Sequence, residues 1–248
     1  MADLLERLLV DGGGAFSESA DGEVAAEALS RRWQQVTEAV ADFASLLAGV
    51  PGWREIPPED LDDHHRRLPG DPAGTAGRLS AATGLGLDVA SFLLVHTHGP
   101  FYQARALAAG PLDTSLWTGG RCPQCGGRPH YGLLAGQEAA RVLECWLCGT
   151  RWRYPRLQCP YCENSRQDTL GYFTLPEEPG IRVCFCRSCD CYLKVYDSQH
   201  LAEVEVDLRI LNFATLAHDV AAVQQGFRPG SGLILASTGS TDEIREER

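Results

Sequence analysis

The sequence predicts an α+β protein with a helical N-terminal domain, two small four-cysteine ribbon modules and a C-terminal helix. Three observations lead to this class. Apolar residues recur at helical spacing in the first half of the chain. Short β-type runs alternate with cysteine pairs in the middle, and a second helical pattern follows them. We predict four parts: a helical domain at 1–120, ribbon modules at 121–158 and 159–200, and a helix and tail at 201–248.

Composition and charge limit the functional classes. The chain has 248 residues, of which 44% are hydrophobic and 22% charged, the balance of an ordinary globular protein. Its net charge of −11 disfavours non-specific binding to nucleic acid and to anionic membranes. No apolar run reaches the length of a membrane span, and the acidic N-terminus lacks the basic start of a secretory signal. We therefore expect a cytoplasmic protein with no membrane span and no nucleic-acid partner.

The helical domain is predicted from an apolar stripe at steps of three and four residues. Asp21 is a candidate N-cap, and Gly49 with Pro51 marks the end of this helix. We expect the stripe to face a core, although a groove for a partner would show the same pattern. Its members are Leu29, Trp33, Val36, Val40, Phe43 and Leu47.

The rest of the first half carries mixed signals. Residues 51–86 are rich in Pro, Gly, Asp and Arg, which predicts a loop or a short irregular helix. Residues 87–109 are helical in pattern, but we expect a break at Gly99–Pro100, with Pro100 opening a second helix. His96 and His98 stand just before that break, and a buried, hydrogen-bonded role is favoured over metal binding or acid–base chemistry.

The middle of the chain contains five short runs of strand-forming residues. Such short strands cannot build a large core, so we expect bound metal to stabilise them. A helix at 207–225 follows, capped by Asp207 and ended by Gly226 and Pro229. Its predicted apolar face is Phe213, Leu216, Val220 and Val223. The runs are Arg-Val-Leu-Glu-Cys, Arg-Trp-Arg-Tyr, Gly-Tyr-Phe-Thr-Leu, Ile-Arg-Val-Cys-Phe and Tyr-Leu-Lys-Val-Tyr.

The cysteine spacing is the most specific signal. Eight of the ten cysteines form Cys-x-x-Cys pairs, and two such turns complete a tetrahedral sulfur site, so we predict two bound metal ions. Sequential pairing is the simplest arrangement, but a cross-braced one fits the spacing too. The predicted ligands are Cys122, Cys125, Cys145, Cys148, Cys159, Cys162, Cys186 and Cys189.

The chemistry of such sites bears on both the ion and the activity. Four thiolates suit zinc or rubredoxin-type iron equally, while an iron–sulfur cluster, redox-active pairs and disulfides are weaker alternatives. A closed site leaves no position open for substrate. No phosphate loop, dinucleotide fingerprint, nucleophile elbow or metalloprotease motif is present. We therefore expect no enzymatic activity and assign no catalytic or cofactor-binding residue.

The repeat is degenerate. Gly126 and Gly149 follow the second cysteine of the first two pairs, where glycine lets the backbone turn toward the sulfurs. Glu163 and Asp190 replace it in the last two pairs, which predicts a looser second site. The two remaining cysteines, Cys184 and Cys191, could be spare ligands, redox sensors or a binding site for sulfur or metal, but small buried strand residues are favoured.

These motifs resemble the FdhE-type formate dehydrogenase accessory proteins over about residues 98–196. The resemblance lies in the order of the pairs, in Trp152 and Arg156, and in the closing Tyr-Leu-Lys, which contains Lys194, the only lysine of the chain. The matching segments are Cys122-Pro-Gln-Cys-Gly-Gly-Arg-Pro, Cys145-Trp-Leu-Cys-Gly-Thr-Arg-Trp, Cys159-Pro-Tyr-Cys and Cys186-Arg-Ser-Cys-Asp-Cys-Tyr-Leu-Lys.

The resemblance implies a helical domain followed by two rubredoxin-like, zinc-ribbon-like modules that hold iron or zinc. It implies a cytoplasmic assembly factor, or chaperone, that binds the catalytic subunit of formate dehydrogenase through the ribbon surface during its maturation. Because this chain is shorter than typical members, we expect a reduced helical domain. A homodimer is left open.

Two other functions stay open at this stage. The first is an iron protein for electron transfer or metal delivery. The second, less favoured, is a zinc-ribbon protein that binds nucleic acid. The bases of the nucleic acid would then stack on the aromatic residues of the ribbons. In so acidic a chain we expect these aromatics to fill the ribbon cores instead. They are Trp146, Trp152, Tyr154, Tyr161 and Tyr172.

Overall fold

The computed structural model of the chain describes residues 26–41, 56–110, 112–199, 211–212 and 214–232. The described residues divide into two compact units, a helical unit that ends at residue 104 and a sheet unit that begins at residue 105. The predicted fold class is confirmed, because the helices come first and both four-cysteine groups lie in the sheet unit, followed by a helix. The predicted boundaries at 120, 158 and 200 stay predictions.

The helical unit begins, among the described residues, with a helix that buries the predicted apolar stripe. Leu29, Trp33 and Val36 are fully or almost fully buried on it. The side chain of Val40, together with Phe43, Leu47 and the proposed cap and stop signals, lies outside the described residues. The helices are α1 (Ala26–Ala41), α2 (Pro58–Arg67), α3 (Pro72–Thr83) and α4 (Leu87–Ala109).

The segment expected to be a loop or irregular helix forms the regular helices α2 and α3. Its prolines, Pro58 and Pro72, occupy first-turn positions, where a missing N–H removes no helical hydrogen bond. The Asp71 side chain caps α3 by accepting from Gly74 N at 2.9 Å, and Gly84 ends the helix at φ 74°. The Pro- and Gly-rich composition therefore marks helix ends here.

The predicted break in α4 is wrong, since the helix runs from Leu87 to Ala109 with Pro100 inside it. Pro100 cannot donate to the carbonyl of His96, four residues earlier, which normally disfavours a continuous helix. In this structure the Arg32 side chain donates to that carbonyl, with Nε 3.3 Å from the oxygen. The lost main-chain hydrogen bond is thus replaced by a side chain of α1.

The helices α3 and α4 are apolar, but they form part of the core of the helical unit. No single helix among the described residues is long and apolar enough to cross a membrane. The pair α3 and α4, bent by 112°, meets the test of length and composition only when taken together. Much of α4 is buried within the protein, which is typical of a core helix.

The sheet unit is built on one mixed sheet with strand order β3-β2-β1-β6-β5-β4, and β7 pairs with β6. Four of the predicted runs lie wholly in strands, and the fifth extends one residue, Tyr154, beyond β3, whereas β1 and β7 were not predicted. A short 3₁₀ helix, Gln167–Thr169, precedes β4, and the helix α5 spans Leu216–Gln224. The strands are β1 (Pro129–Ala135), β2 (Ala140–Cys145), β3 (Arg151–Arg153), β4 (Leu170–Leu175), β5 (Glu178–Cys186), β6 (Cys191–Asp197) and β7 (Arg228–Pro229).

The two ribbon modules share this sheet. Strands β1–β3 form one antiparallel ribbon and β4–β6 form the other. They join where β1 runs parallel to β6, in a register from Tyr131–Lys194 to Leu134–Asp197. Every residue of β6 is buried. The joint between the modules is therefore the best-protected part of the sheet.

The helix α5 covers one face of the sheet, but not with the face predicted. Leu216 and Val220 are 45% and 54% exposed, and Phe213 lies outside the described residues. The buried residues of α5 are His218 and Ala222. The orientation follows from an ion pair, because the Asp219 side chain contacts Lys194 on β6. The side of α5 that carries residues 218, 219 and 222 therefore faces the sheet.

The aromatic residues of the ribbons mostly behave as expected. Trp146, Trp152 and Tyr154 are buried, and the ring of Trp152 donates to the carbonyl of Gly119 at 3.2 Å. Tyr172 is different, because 60% of it is exposed at the edge strand β4. The expectation that it fills a ribbon core is wrong.

Candidate metal centres

The first candidate centre joins the two turns at either side of the β1–β2 hairpin. The Sγ atoms of all four cysteines lie within 4.8 Å of one another. The Cys122 and Cys148 sulfurs are 3.5 Å apart, and so are those of Cys125 and Cys145. Cys145 ends β2, so the hairpin brings the second turn back beside the first.

The second candidate centre repeats this plan in the other ribbon. The Cys159 and Cys189 sulfurs are 3.8 Å apart, and those of Cys162 and Cys186 are 3.7 Å apart. Cys186 ends β5 and Cys189 precedes β6, so the β5–β6 hairpin supplies one turn. The turns therefore combine sequentially, and the cross-braced alternative does not describe this structure.

The sulfur separations fit a tetrahedral ion. A metal–sulfur bond of about 2.3 Å places two tetrahedral ligands about 3.8 Å apart, and the four contacts measure 3.5–3.8 Å. A disulfide would need about 2.05 Å, and all ten cysteines are free thiols. Each four-cysteine group could thus hold one metal ion, with a geometry that suits iron and zinc alike.

Each turn adopts the tight conformation that its sequence predicts. Gly126 and Gly149 have φ of 76° and 74°, and their amides donate to the carbonyls of the first cysteines at 3.0 and 3.1 Å. Glu163 and Asp190 hold the equivalent positions at φ 58° and 53°. Main-chain amides also approach sulfur, as Gln124 N does to Cys122 Sγ at 3.4 Å.

Electrostatics within each group favour binding of a cation. Burial, followed by contacts with the other sulfurs, raises the pKa of Cys145, while hydrogen bonds from its three partners hold the pKa of Cys148 far below the usual range. Burial also raises the pKa of Cys159 to about 12. Burial alone would raise the pKa of Cys186 as well. Hydrogen bonds from the Ser188 amide and the Asn164 side chain outweigh burial, and the pKa falls to about 7. Four thiolates so close together ionise jointly only around a cation.

The groups differ in exposure. Cys122, Cys145 and Cys148 of the first are buried, and Cys125 is half-buried. In the second group Cys162 is exposed and Cys189 is half-buried. An ion in the second group would therefore lie closer to solvent.

The remaining candidates from the sequence lie outside both groups. Cys184 and Cys191 are strand residues on β5 and β6, half-buried and buried respectively. His98 is fully buried, with its Nδ1 3.3 Å from that of His65, whereas the His96 ring packs at a tilt against the Phe92 ring. The two histidines do not act as a pair, and the favoured buried role fits His98.

Two polar features near the sheet escaped the sequence analysis. Arg141 on β2 is buried and donates to the carbonyls of Pro155 and Gln158, which fixes the segment between the modules. Lys194 is 2% exposed and its Nζ lies 2.6 Å from Asp219 Oδ2. The sole lysine of the chain offered a signal for the second feature, but an arginine in a strand pattern offered none for the first.

Comparison with known proteins shows which proteins this chain resembles. No family model matches the chain. A protein named FdhE homolog from Aquifex aeolicus is 33% identical over 119 residues, which are 47% of this chain and 41% of that protein. Another from Pseudomonas aeruginosa is 33% identical over 128 residues, 48% of this chain and 40% of that protein. The resemblance to FdhE-type proteins is confirmed.

The crystal structure of the FdhE protein from Pseudomonas aeruginosa extends this likeness to the fold. It covers 96% of this chain and 88% of that chain, with a TM-score of 0.60 and 23% sequence identity. The matches to the two curated FdhE homologues span only about two fifths of their length. FdhE-type architecture therefore describes the fold, and what this chain does as a whole protein is a matter for proposal.

Proposed function

We propose that this chain is a non-catalytic accessory factor for formate dehydrogenase, which binds the catalytic subunit of that enzyme in the cytoplasm. The observation that carries the proposal is the pair of four-cysteine groups in one continuous sheet, on an FdhE-type fold. A group of four cysteines closes the coordination of a tetrahedral ion, so it suits a structural role better than catalysis.

Metal binding would give the ribbons their rigidity. The four cysteines of each group would hold one iron or zinc ion, which supplies four strong cross-links between two turns. The ribbon strands β1–β6 are three to nine residues long, and ribbons of this size gain too little from apolar burial to fold unaided. We expect each ion to order the loops that carry its ligands.

We place the contact with the partner on exposed side chains of the sheet unit. Tyr172 and Leu157 are 60% and 63% exposed. The guanidinium of Arg182 lies 5.3 Å from the centre of the Tyr172 ring. Exposed aromatic and arginine side chains are typical of the energetic centre of protein–protein interfaces.

An anaerobic pull-down of the tagged full chain from its native cells tests this function. We expect a formate dehydrogenase catalytic subunit to co-purify with the wild type and to be lost from Cys122→Ala and Cys159→Ala. Cys184→Ala is the matched control, because it removes a thiol outside both groups and should retain the partner. Recovery of nucleic acid, or binding of the subunit by both ligand variants, would refute the proposal.

A second candidate function is electron transfer or metal delivery by rubredoxin-like iron. The exposure of Cys162 favours it, because an ion near the surface is accessible to a redox partner. A reversible one-electron couple in the iron-loaded protein, together with no recovery of formate dehydrogenase, would move this candidate ahead of the first.

A further inference from the structure

The two four-cysteine groups are unequally protected from solvent. In the first group Cys122 and Cys145 are each 2% exposed and Cys148 is 5% exposed. Cys162 of the second group is an exposed residue. A competing thiol or chelator must reach a sulfur or the ion before it can displace a ligand, so the second group offers the easier approach.

The backbone of the second group is also less relaxed. Residues in the left-handed conformation follow the second cysteine of every turn. Glycine adopts this conformation freely, whereas Glu163 and Asp190 bear a side chain there and are strained. Both turns of the second group carry this strain and neither turn of the first does. Release of the ion would relieve it only in the second group.

Segments from elsewhere in the sheet unit are attached to the turns of the second group. The amide of Gly120 donates to Glu163 Oε1 at 3.5 Å. Arg228, the first residue of β7, donates from its amide to the Asp190 carbonyl at 2.8 Å and from its guanidinium to the Cys189 carbonyl at 3.4 Å. Opening of this group would therefore loosen β7.

We propose that the second four-cysteine group is an exchangeable metal site, which releases and rebinds its ion through Cys162 while the ion of the first group stays in place. The inference rests on the metal binding proposed above and adds a division of labour to it. The ion of the first group keeps the sheet folded. When the second group holds its ion, the hydrogen bonds that attach β7 to its turn stay in place, and when the ion leaves they loosen.

Timed alkylation of the metal-loaded wild type distinguishes the groups. The full chain, loaded with zinc and checked for two ions per chain, is incubated with EDTA and iodoacetamide, and labelled cysteines are identified by mass spectrometry. We expect Cys159, Cys162, Cys186 and Cys189 to be labelled together, at least about tenfold sooner than the first group, the factor that corresponds to one strained residue. Hydrogen exchange at the Gly230 amide, which bonds Tyr192 O at 3.2 Å, should rise in step.

A pair of double variants tests the cause. Glu163→Gly with Asp190→Gly should slow labelling of the second group by about tenfold for each strained residue that is relieved, and so by about a hundredfold in all. The control, Glu138→Gly with Glu177→Gly, removes two exposed charges in turns away from the ligands and should leave the rate unchanged.

Equal labelling of the two groups, or faster labelling of the first, would overturn the inference while leaving metal binding intact. A loaded protein that holds no ion at all would instead refute the proposed metal binding, and the inference with it. A slowing by the control as large as that by the glycine variant would show that charge, not strain, governs release, and would overturn the mechanism.

Discussion

Arg32 on α1 donates from Nε to the carbonyl oxygen of His96 on α4 at 3.3 Å. Pro100, the residue four positions later, has no N–H to donate to that carbonyl. Arg32 is only 3% exposed, so the contact lies in the interior of the helical unit. The arginine and the proline are therefore coupled through one oxygen atom, although they are distant in sequence.

A double-mutant cycle on Arg32 and Pro100 measures this coupling. Arg32→Met keeps most of the aliphatic stem but removes this buried hydrogen bond from a charged group, which should cost about 1–3 kcal/mol of unfolding free energy. In a Pro100→Ala background the alanine amide can donate to His96, so the same change should cost at least about 0.5 kcal/mol less. Urea unfolding followed by circular dichroism gives both values. An equal cost in the two backgrounds would contradict the coupling.

The buried His98 makes the helical unit sensitive to acid. Burial, and then the proximity of His65 and His64, lowers the pKa of His98 well below its usual value. The unfolded chain takes up a proton below about pH 6.5 and the folded chain does not. Stability is therefore fully present above that pH and decreases as the pH falls through it. We expect a contribution of up to about 1.4 kcal/mol per pH unit from this residue.

The replacement His98→Asn isolates this term. Asparagine does not titrate but can still hydrogen-bond to His65, so the variant should show a shallower loss of unfolding free energy between about pH 6.5 and 5. Other titrating groups, including the half-buried carboxylates and His64, are common to both proteins and cancel in the difference. Identical slopes for variant and wild type would show that His98 is not the source.

The buried Lys194 and the half-buried Asp219 form an ion pair that holds α5 on the sheet. Lys194 Nζ also lies 3.1 Å from the Asn212 carbonyl and 3.1 Å from Thr215 Oγ1. Tyr192 OH donates to the other carboxylate oxygen at 2.6 Å. Removing one partner of such a pair leaves a charge without compensation, so Lys194→Met should cost about 3–5 kcal/mol.

The control for this pair removes both charges. Lys194→Met with Asp219→Leu should recover much of the lost stability, because an apolar pair replaces a desolvated ionic one. Tyr192→Phe, which deletes a single hydrogen bond to the same carboxylate, should cost about 1 kcal/mol. Denaturant unfolding at constant metal content provides the comparison. A double variant no more stable than Lys194→Met alone would argue against the pair.

The same pair explains why the sequence predicted the wrong face of α5. The apolar residues Leu216 and Val220 are regularly spaced, and spacing alone assigns them to the core. Burying the lysine on β6 without an anionic partner would cost more free energy than leaving two apolar side chains of α5 exposed. Nothing in the helix itself indicates that partner, because the requirement arises on a strand distant in sequence.

The four-cysteine groups were predictable for the opposite reason. Metal-ligand spacing is local, and each turn of two cysteines and two intervening residues is complete within the sequence. The pairing of the turns was left open by the spacing, and the structure resolves it as sequential because the β1–β2 and β5–β6 hairpins each return one turn beside another. The parallel joint between β1 and β6 was not predictable, since β1 lacked a recognised strand pattern and its partner lies some sixty residues later.

Gly230 is a position in the described C-terminal segment that requires the absence of a side chain. A Cβ at this position would overlap the ring of Tyr161, whose hydroxyl donates to the Pro129 carbonyl at 3.3 Å. Gly230→Ala must displace that ring or the segment after β7, and overpacking of this kind typically costs about 1–3 kcal/mol. Gly77→Ala is the matched control: it lies inside α3 with open space around it and should stabilise by about 0.5–1 kcal/mol. Thermal unfolding and hydrogen exchange in residues 227–231 report the two effects. A Gly230→Ala protein as stable as the wild type would show that this segment does not pack on Tyr161.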